Sequence, residues 1–193
     1  YAVTRFNFTS DSYLAIPTSA LGKEYIVASM ADMSWMYGGM SLPSETAIVA
    51  AYDSTVVEFT VGGNSVTTTG GGLRSGQSTS FVMNRGDVWV VGNNSTSKEG
   101  DMTGSVITST MPVAVVSGNQ CANVPTTLRW CDFVSEMEVP TVSWGKELQL
   151  PRYASRKNGY FMKVFAKESN TRVSYNGSYW KTLQTPGGVE GRG

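Results

Sequence analysis

The residues of this chain that could perform acid–base chemistry are carboxylates, because the sequence contains no histidine. Without histidine, neither a Ser/His/Asp nor a Cys/His nucleophile system can form, and His-based zinc sites are excluded as well. The carboxylates are scattered and lack the spacing of a calcium loop, which leaves a carboxylate-based hydrolase as the least favoured alternative. The sequence therefore predicts no enzyme and no catalytic, cofactor-binding or metal-binding residue; the acidic residues considered are Asp53, Glu58, Asp87, Asp101, Asp132, Glu136 and Glu138.

The two cysteines, Cys121 and Cys131, are the other residues with distinctive chemistry. Their spacing differs from the CxxC of a redox pair or of half a zinc site. A disulfide between them is the favoured interpretation and indicates an extracellular protein, whereas two free thiols would indicate a cytosolic one. Four sequons also favour secretion and make asparagine side chains candidates for glycosylation, although Asn93 and Asn94 overlap and could hardly both be modified; the candidates are Asn7, Asn93, Asn94 and Asn176.

A methionine-rich segment, residues 30–40, is the best candidate contact site. Methionines and aromatic residues in a glycine-flanked loop form an adaptable apolar surface for a partner. The equally weighted alternative is that this loop folds back over an open end of the sheet. The contact-loop candidates are Met33, Trp35, Met36, Tyr37 and Met40.

Two further tryptophans and one tripeptide allow a structural or a binding interpretation. Trp130, beside Cys131, and Trp144 are expected to pack in the core, since an indole next to a disulfide usually does. Arg85-Gly86-Asp87 is a tripeptide that integrins recognise, but it is also ordinary turn chemistry, which is the favoured interpretation. The sequence does not determine whether any receptor binds this tripeptide.

Charge and hydropathy exclude two classes of partner. Lys plus Arg equal Asp plus Glu at 15 each, so the formal net charge is zero. This balance argues against binding to nucleic acid or to an anionic membrane surface. The longest apolar stretches run to about six residues, far fewer than the roughly 20 of a membrane helix. No membrane insertion is predicted, and any signal peptide lies upstream or has been removed.

Period-2 alternation and glycine-rich turns predict an all-β chain. Gly62-Gly63 is predicted to form a hairpin turn between residues 56–61 and 65–69. No window shows the apolar spacing of a helix. The predicted strands are residues 13–16, 24–30, 46–51, 56–61, 65–69, 79–82, 87–91, 103–109, 113–117, 146–150, 160–166 and 171–175.

An internal repeat predicts the domain organisation. Residues 16–27 and 139–150 share Pro-Thr and Gly-Lys-Glu, 47–59 correspond to 162–174, and 2–7 faintly resemble 114–119. The expected fold is an antiparallel β-sandwich built from two related repeats, residues 1–111 and 112–193. The second repeat is expected to be incomplete in this chain, which would leave a strand edge open to pairing with another strand.

Several blocks of sequence resemble the N-terminal domain of the IgG Fc-binding protein family. The most specific block is Pro112-Val-Ala-Val-Val-Ser-Gly-Asn-Gln-Cys, followed by Cys131-Asp and Trp144-Gly-Lys; weaker ones are Leu21-Gly-Lys-Glu-Tyr and Gly100-Asp-Met-Thr-Gly-Ser. The resemblance covers nearly the whole chain. It implies a secreted or cell-surface protein of a mucus-like or adhesive type, with no catalytic role and no marked Fc site.

Together these observations predict a non-catalytic extracellular module that acts by binding or assembly. The expected partner is a protein or glycoprotein, through self-association or through a larger parent assembly. The alternative is a stand-alone carbohydrate- or immunoglobulin-binding domain, since the loops of sandwiches commonly carry such sites.

Overall fold

The computed structural model describes residues 1–7, 9–38, 40–94, 100–125, 127–150, 154, 161–184 and 187–192. This part of the chain consists of β-strands and two short 3-10 turns, at Thr18–Ala20 and Thr141–Ser143. The all-β antiparallel prediction is confirmed. The strands are β1 Ala2–Phe6, β2 Thr9–Tyr13, β3 Gly22–Ile26, β4 Ser44–Ala50, β5 Thr55–Thr60, β6 Ser78–Met83, β7 Val88–Gly92, β8 Val106–Ala122, β9 Asp132–Met137, β10 Phe161–Ala166, β11 Thr171–Tyr175, β12 Ser178–Leu183 and β13 Gly187–Arg192.

Strand β8 organises a curled seven-stranded sheet. Its first half, residues 106–109, pairs with β5 and β3, and its second half, residues 113–119, pairs with β4 and β9. Strand β6 extends the first group through β5, and β7 extends the second group through β4. The sheet therefore forms two four-stranded halves, β6-β5-β8-β3 and β7-β4-β8-β9, that share one long strand.

The hydrophobic core lies between these two halves. Tyr25, Phe59 and Ile107 from the first half are fully buried, as are Ile48 and Val115 from the second. Buried and exposed residues alternate along β5, as expected for a strand with one face on the core and one in solvent. Burial of these side chains is the main driving force that closes the curled sheet.

Several predicted elements differ from the structure. Residues 14–16 of the predicted strand 13–16 lie outside any strand, and the predicted strand 65–69 contains only isolated bridges, at Thr68 and Thr69. The hairpin at Gly62-Gly63 is wrong, because β5 pairs with β6 and both glycines instead lie against residues 101–105. A Cβ on Gly62 would come within van der Waals overlap of the Gly104 backbone, so glycine is required there by close approach. Residues 146–150 form no strand and are all exposed, so that prediction is also wrong. The predicted start of another strand at Tyr160 lies outside the described residues.

The predicted boundary between residues 111 and 112 falls within β8. The division into two repeats stays a prediction. Outside the seven-stranded sheet, β1–β2, β10–β13 and β11–β12 form separate two-stranded ladders. In the described part of the chain, no helix has the length and hydropathy of a membrane span.

Candidate functional site

The methionine-rich loop, residues 31–43, is closed at its base by backbone and side-chain hydrogen bonds. The Met33 N–H donates to the Leu42 carbonyl at 3.1 Å, and the Leu42 N–H donates to Ser34 Oγ at 2.8 Å. The Met36 N–H donates to the Met33 carbonyl at 3.0 Å and forms a turn. These hydrogen bonds hold the two ends of the loop together.

The predicted contact residues divide into two groups. Met33 is only 1% exposed, and Met36 and Tyr37 are partly buried. Trp35 and Met40, in contrast, are 42% and 62% exposed. Part of the loop therefore folds back onto the domain, as one interpretation of the sequence had it, while two large apolar side chains face solvent.

The cystine loop, residues 121–131, is closed by the disulfide between Cys121 and Cys131. Trp130 adopts a φ of 74° and is 93% exposed, so the expectation that it packs in the core is wrong. Leu128 in the same loop is 55% exposed. Trp144 is partly buried and donates from its indole N–H to the Val139 carbonyl at 3.0 Å. The short loop that the disulfide closes therefore presents the Trp130 indole to solvent.

Tyr37 joins the two loops. Its hydroxyl donates to Asn123 Oδ1 at 3.2 Å and accepts the backbone N–H of Cys131 at 3.2 Å. The methionine-rich loop is therefore hydrogen-bonded to Cys131, the residue that follows Trp130. We define the exposed apolar side chains of the joined loops as the two-loop surface, which consists of Trp35, Met40, Val124, Leu128 and Trp130.

A buried asparagine, Asn119, forms hydrogen bonds with both loops. The Asn119 amide donates to the Ala31 carbonyl at 3.0 Å and to the Leu42 carbonyl at 3.2 Å. Its Oδ1 accepts the N–H of Cys121 at 2.7 Å. Asn119 thus connects the base of one loop to the first cysteine of the other. Sequence reasoning missed its role, although it lies within the Gly118-Asn119-Gln120-Cys121 block that carried the resemblance.

The four sequon asparagines have unequal surroundings. Asn7, Asn94 and Asn176 are exposed. Asn93 is 5% exposed, and its amide donates to Asp32 Oδ2 at 3.0 Å while its Oδ1 accepts the Thr68 N–H at 3.3 Å. A glycan on Asn93 would break the bond to Asp32 and would have no space, so Asn94 is the better candidate of the overlapping pair.

The acidic residues serve structural roles where their contacts are described. Glu138 is 8% exposed and accepts the Ala28 N–H at 2.6 Å. Burial raises its pKa to about 7, against the opposing effects of the hydrogen bonds from Ala28 and Ser117 and of the Lys163 charge, while Glu136 adds to the increase. Among the described residues, no three acidic or sulfur-containing side chains are grouped so that they could hold a metal ion.

The Arg85-Gly86-Asp87 segment forms the turn between β6 and β7. Gly86 has a φ of 89°, which requires glycine-like freedom, and the Asp87 carboxylate accepts the Asn84 N–H at 2.7 Å. The Arg85 N–H donates to Asp53 Oδ1 at 3.0 Å. The turn chemistry expected from the sequence is therefore present, and the aspartate is engaged within it.

A cleft of about 840 Å³ opens between the edge strands β6 and β7. Phe81 and Trp89 line it with ring centroids 4.6 Å apart, and Trp89 also packs against the core residue Phe59 at 5.2 Å. Leu73 and the Gly70-Gly71 turn form its rim. The cleft is a second concave surface, lined in part by two aromatic rings that contact each other. It is separate in sequence from both loops of the two-loop surface.

Comparison with known proteins identifies the family. A protein-family model described as "IgGFc binding protein" matches residues 11–189. The human IgGFc-binding protein is 31% identical over 168 residues, which cover 87% of this chain and 3% of that protein. No solved structure matches the chain. The matched region includes β3 to β12, both loops of the two-loop surface and the disulfide. The chain belongs to the IgG Fc-binding protein family.

Proposed function

We propose that this chain is a non-catalytic extracellular binding and assembly module that contacts a protein or glycoprotein partner through the two-loop surface. The observation that carries the proposal is the position of Trp130, 93% exposed at the end of a disulfide-closed loop. An indole contributes a large apolar area at low cost in conformational entropy, and tryptophan is enriched among the residues that dominate binding energy.

The rigidity of the two loops supports this role. Tyr37 bonds to both Asn123 and Cys131, and the disulfide closes the loop that carries Trp130. A preorganised loop loses little freedom on binding, so more of the contact energy remains as affinity. Family membership and the disulfide both favour an extracellular location.

Two observations support a non-catalytic role. The chain contains no histidine, which excludes the common nucleophile systems. The carboxyl group of Glu138, whose pKa is raised to about 7, is buried against the Ala28 N–H and is not placed to meet a substrate. A raised pKa is a feature of catalytic acids, but here burial under the sheet accounts for it.

The human relative is named for binding the Fc region of IgG. An IgG Fc fragment, with and without its glycan, is therefore the first probe, measured by surface plasmon resonance on the immobilised chain. Replacing Trp130 with alanine is expected to weaken binding at least tenfold, which corresponds to about 1.4 kcal/mol. The control is Val142→Ala, whose side chain is 84% exposed and which belongs to the 3-10 turn Thr141–Ser143 and to neither loop. Equal affinity of Trp130→Ala and wild type, or no binding of either Fc form, would contradict the proposal.

A second candidate function is carbohydrate binding in the cleft between β6 and β7. The specific observation is the pair of aromatic walls, Phe81 and Trp89, in a cleft of about 840 Å³. A glycan array distinguishes the two functions. Glycan binding that persists in Trp130→Ala would favour the cleft, and absence of any glycan signal would exclude it.

A further inference from the structure

Two sets of four consecutive strands repeat the same pairing. In the first set, β4 pairs with β7 and β5 pairs with β6, all antiparallel. In the second set, β10 pairs with β13 and β11 pairs with β12, again antiparallel. In both sets the first strand therefore joins the fourth and the second joins the third.

The turns that follow β4 and β10 agree in atomic detail. Ser54 has a φ of 53°, and the next residue, Thr55, donates from Oγ1 to the Tyr52 carbonyl at 2.7 Å. Asn170 has a φ of 60°, and Thr171 donates from Oγ1 to the Glu168 carbonyl at 2.6 Å. Because both features recur together, β10 and β11 are the structural counterparts of β4 and β5.

The first set has a partner that the second set lacks. The second half of β8 pairs with β4 on the edge opposite β7, and its first half pairs with β5 on the edge opposite β6. Among the described residues, β10 pairs only with β13 and β11 only with β12. Within the described part of the chain, the edge of β10 that corresponds to the β8-paired edge of β4 therefore has no strand partner.

A matching strand lies at the other end of the molecule. Strand β1 pairs with β2 in an antiparallel ladder, as β8 pairs with β9. Strand β2 lies along β9, where Asp11 Oδ2 accepts the Ser135 N–H at 2.6 Å and Thr9 Oγ1 accepts the Phe133 N–H at 2.8 Å. Residues 2–7 also resemble 114–119 in sequence. Strand β1 is thus the counterpart of the second half of β8.

The outer edge of β1 is suited to pairing. Among the described residues, β1 has no ladder other than that with β2. Tyr1 and Val3 are 93% and 72% exposed, β1 contains no proline, and Arg5 is its one charged residue. Within one copy the free edges of β1 and β10 are not paired with each other.

We propose that β1 of one copy pairs with β10 of a second copy in the way that β8 pairs with β4. Each copy then offers a donor edge at β1 and an acceptor edge at β10, so copies join head to tail and the contact does not close on itself as a symmetric dimer does. The inference rests on the assembly part of the proposed function, so the two stand or fall together, but it uses an interface different from the two-loop surface and leaves the binding part independent.

Sedimentation velocity of the chain over increasing concentration tests the proposal. Wild type is expected to form a series of species that are multiples of 20.8 kDa. The blocking variants are prolines, because proline removes the N–H that a ladder needs. Successive N–H groups of a strand point to opposite edges, so of two neighbouring positions only one donates at the outer edge. The candidate variants are therefore tested in pairs. Val3→Pro and Thr4→Pro are the pair for β1, and Val164→Pro and Phe165→Pro are the pair for β10. The variant of each pair that retains the wild-type thermal transition is used.

Each blocked variant alone is expected to sediment as a monomer. A mixture of the β1-blocked and β10-blocked variants is expected to form a one-to-one dimer that grows no further, since one retains the acceptor and the other the donor. The control is a proline in edge strand β6, Thr79→Pro or Ser80→Pro chosen in the same way, which is expected to assemble like wild type.

Three outcomes would overturn the proposal: a wild-type chain that is monomeric at every concentration, blocked variants that assemble like wild type, or a mixture that forms no dimer. A β10-blocked variant that still dimerises would also overturn it, because that result indicates symmetric β1–β1 pairing. Loss of Fc binding in Trp130→Ala is a separate readout. Failure of assembly with intact Fc binding contradicts this inference and the assembly part of the proposed function, but not binding through the two-loop surface. Assembly without Fc binding contradicts only the two-loop surface.

Discussion

The ammonium group of Lys163 on β10 lies 3.1 Å from Oδ2 of Asp101, which precedes β8. The same ammonium donates to the Ser29 carbonyl at 2.7 Å and to Thr103 Oγ1 at 2.9 Å. The side chains are only 9% and 19% exposed. Lys163 therefore attaches the last third of the chain to the curled sheet through a largely buried charge that contacts Asp101, Ser29 and Thr103.

Replacing Lys163 with alanine is expected to lower the free energy of unfolding by about 3 kcal/mol, because it leaves the Asp101 carboxylate without its cation in a largely buried site. The matched control is Lys167→Ala, at the residue that follows β10. Its ion pair with Glu24 is exposed and is expected to contribute little to the free energy of unfolding. Urea denaturation of both variants measures the difference. Equal losses would show that the buried pair has no special role.

The raised pKa of Glu138 predicts a pH-dependent stability. Its pKa is about 7 in the folded chain against an ordinary value of 4.5, so the folded state binds the proton more tightly than the unfolded state. The stabilisation is fully present below pH 4.5 and is lost as the pH rises through 7. Its size is about 3 kcal/mol, from the difference between the two pKa values.

Glu138→Gln isolates this effect, since glutamine retains an oxygen for the Ala28 N–H but does not titrate. The difference in free energy of unfolding between wild type and variant is expected to fall by about 3 kcal/mol from pH 4.5 to pH 8. Burial also raises the pKa of Glu45 and Glu136, but both residues remain in the two proteins and cancel. A difference that does not change with pH would contradict the prediction.

Tyr37→Phe removes the hydroxyl that joins the two loops and leaves the ring in place. The loss of its bonds to Asn123 and Cys131 is expected to cost about 1 kcal/mol of stability. Because the loops lose their connection, affinity for a partner of the two-loop surface is expected to fall as well. Tyr52→Phe, on an exposed turn, is the control for both measurements. Unchanged affinity in Tyr37→Phe would show that the loops act separately.

Glycosylation of the overlapping sequons is expected at Asn94 and not at Asn93. The Asn93 amide is buried against Asp32, whereas Asn94 is exposed. Peptide mass analysis of chain secreted from eukaryotic cells identifies the modified residue. Asn94→Gln is expected to remove the sugar without a change in thermal stability, whereas Asn93→Gln destabilises the fold by breaking a buried hydrogen bond. A glycan found on Asn93 would contradict the packing described for it.

Several strands were predictable because the alternation of apolar and polar residues along a strand is a local feature of the sequence. Residues 46–51, 56–61 and 171–175 were placed within one or two positions of β4, β5 and β11. Strands β1, β9, β12 and β13 were missed, and the predicted strand 13–16 shares only Tyr13 with β2. Strand β8 was predicted as two strands, separated around Met111-Pro112, because a proline there is typical of a strand boundary, whereas the strand continues through it and changes partners.

The candidate site was predictable in part. The sequence indicated both cysteines and the methionine-rich loop, since residue type alone marks them. It did not indicate that Trp130 faces solvent, because exposure depends on how the cystine loop leaves β8. Nor did it identify Tyr37 as the connection, since its partner Cys131 is 94 residues away.

The sequence by itself determined the all-β class, the family and the residues able to form a disulfide, because these follow from local periodicity, composition and residue identity. Tertiary structure alone decided which strands pair, which glycines are required by close approach and which apolar side chains remain outside. Those outcomes depend on contacts between distant segments, such as β4 with β8 and Lys163 with Asp101. Such contacts form only when the two halves of the sheet close on a common core, so no local pattern encodes them.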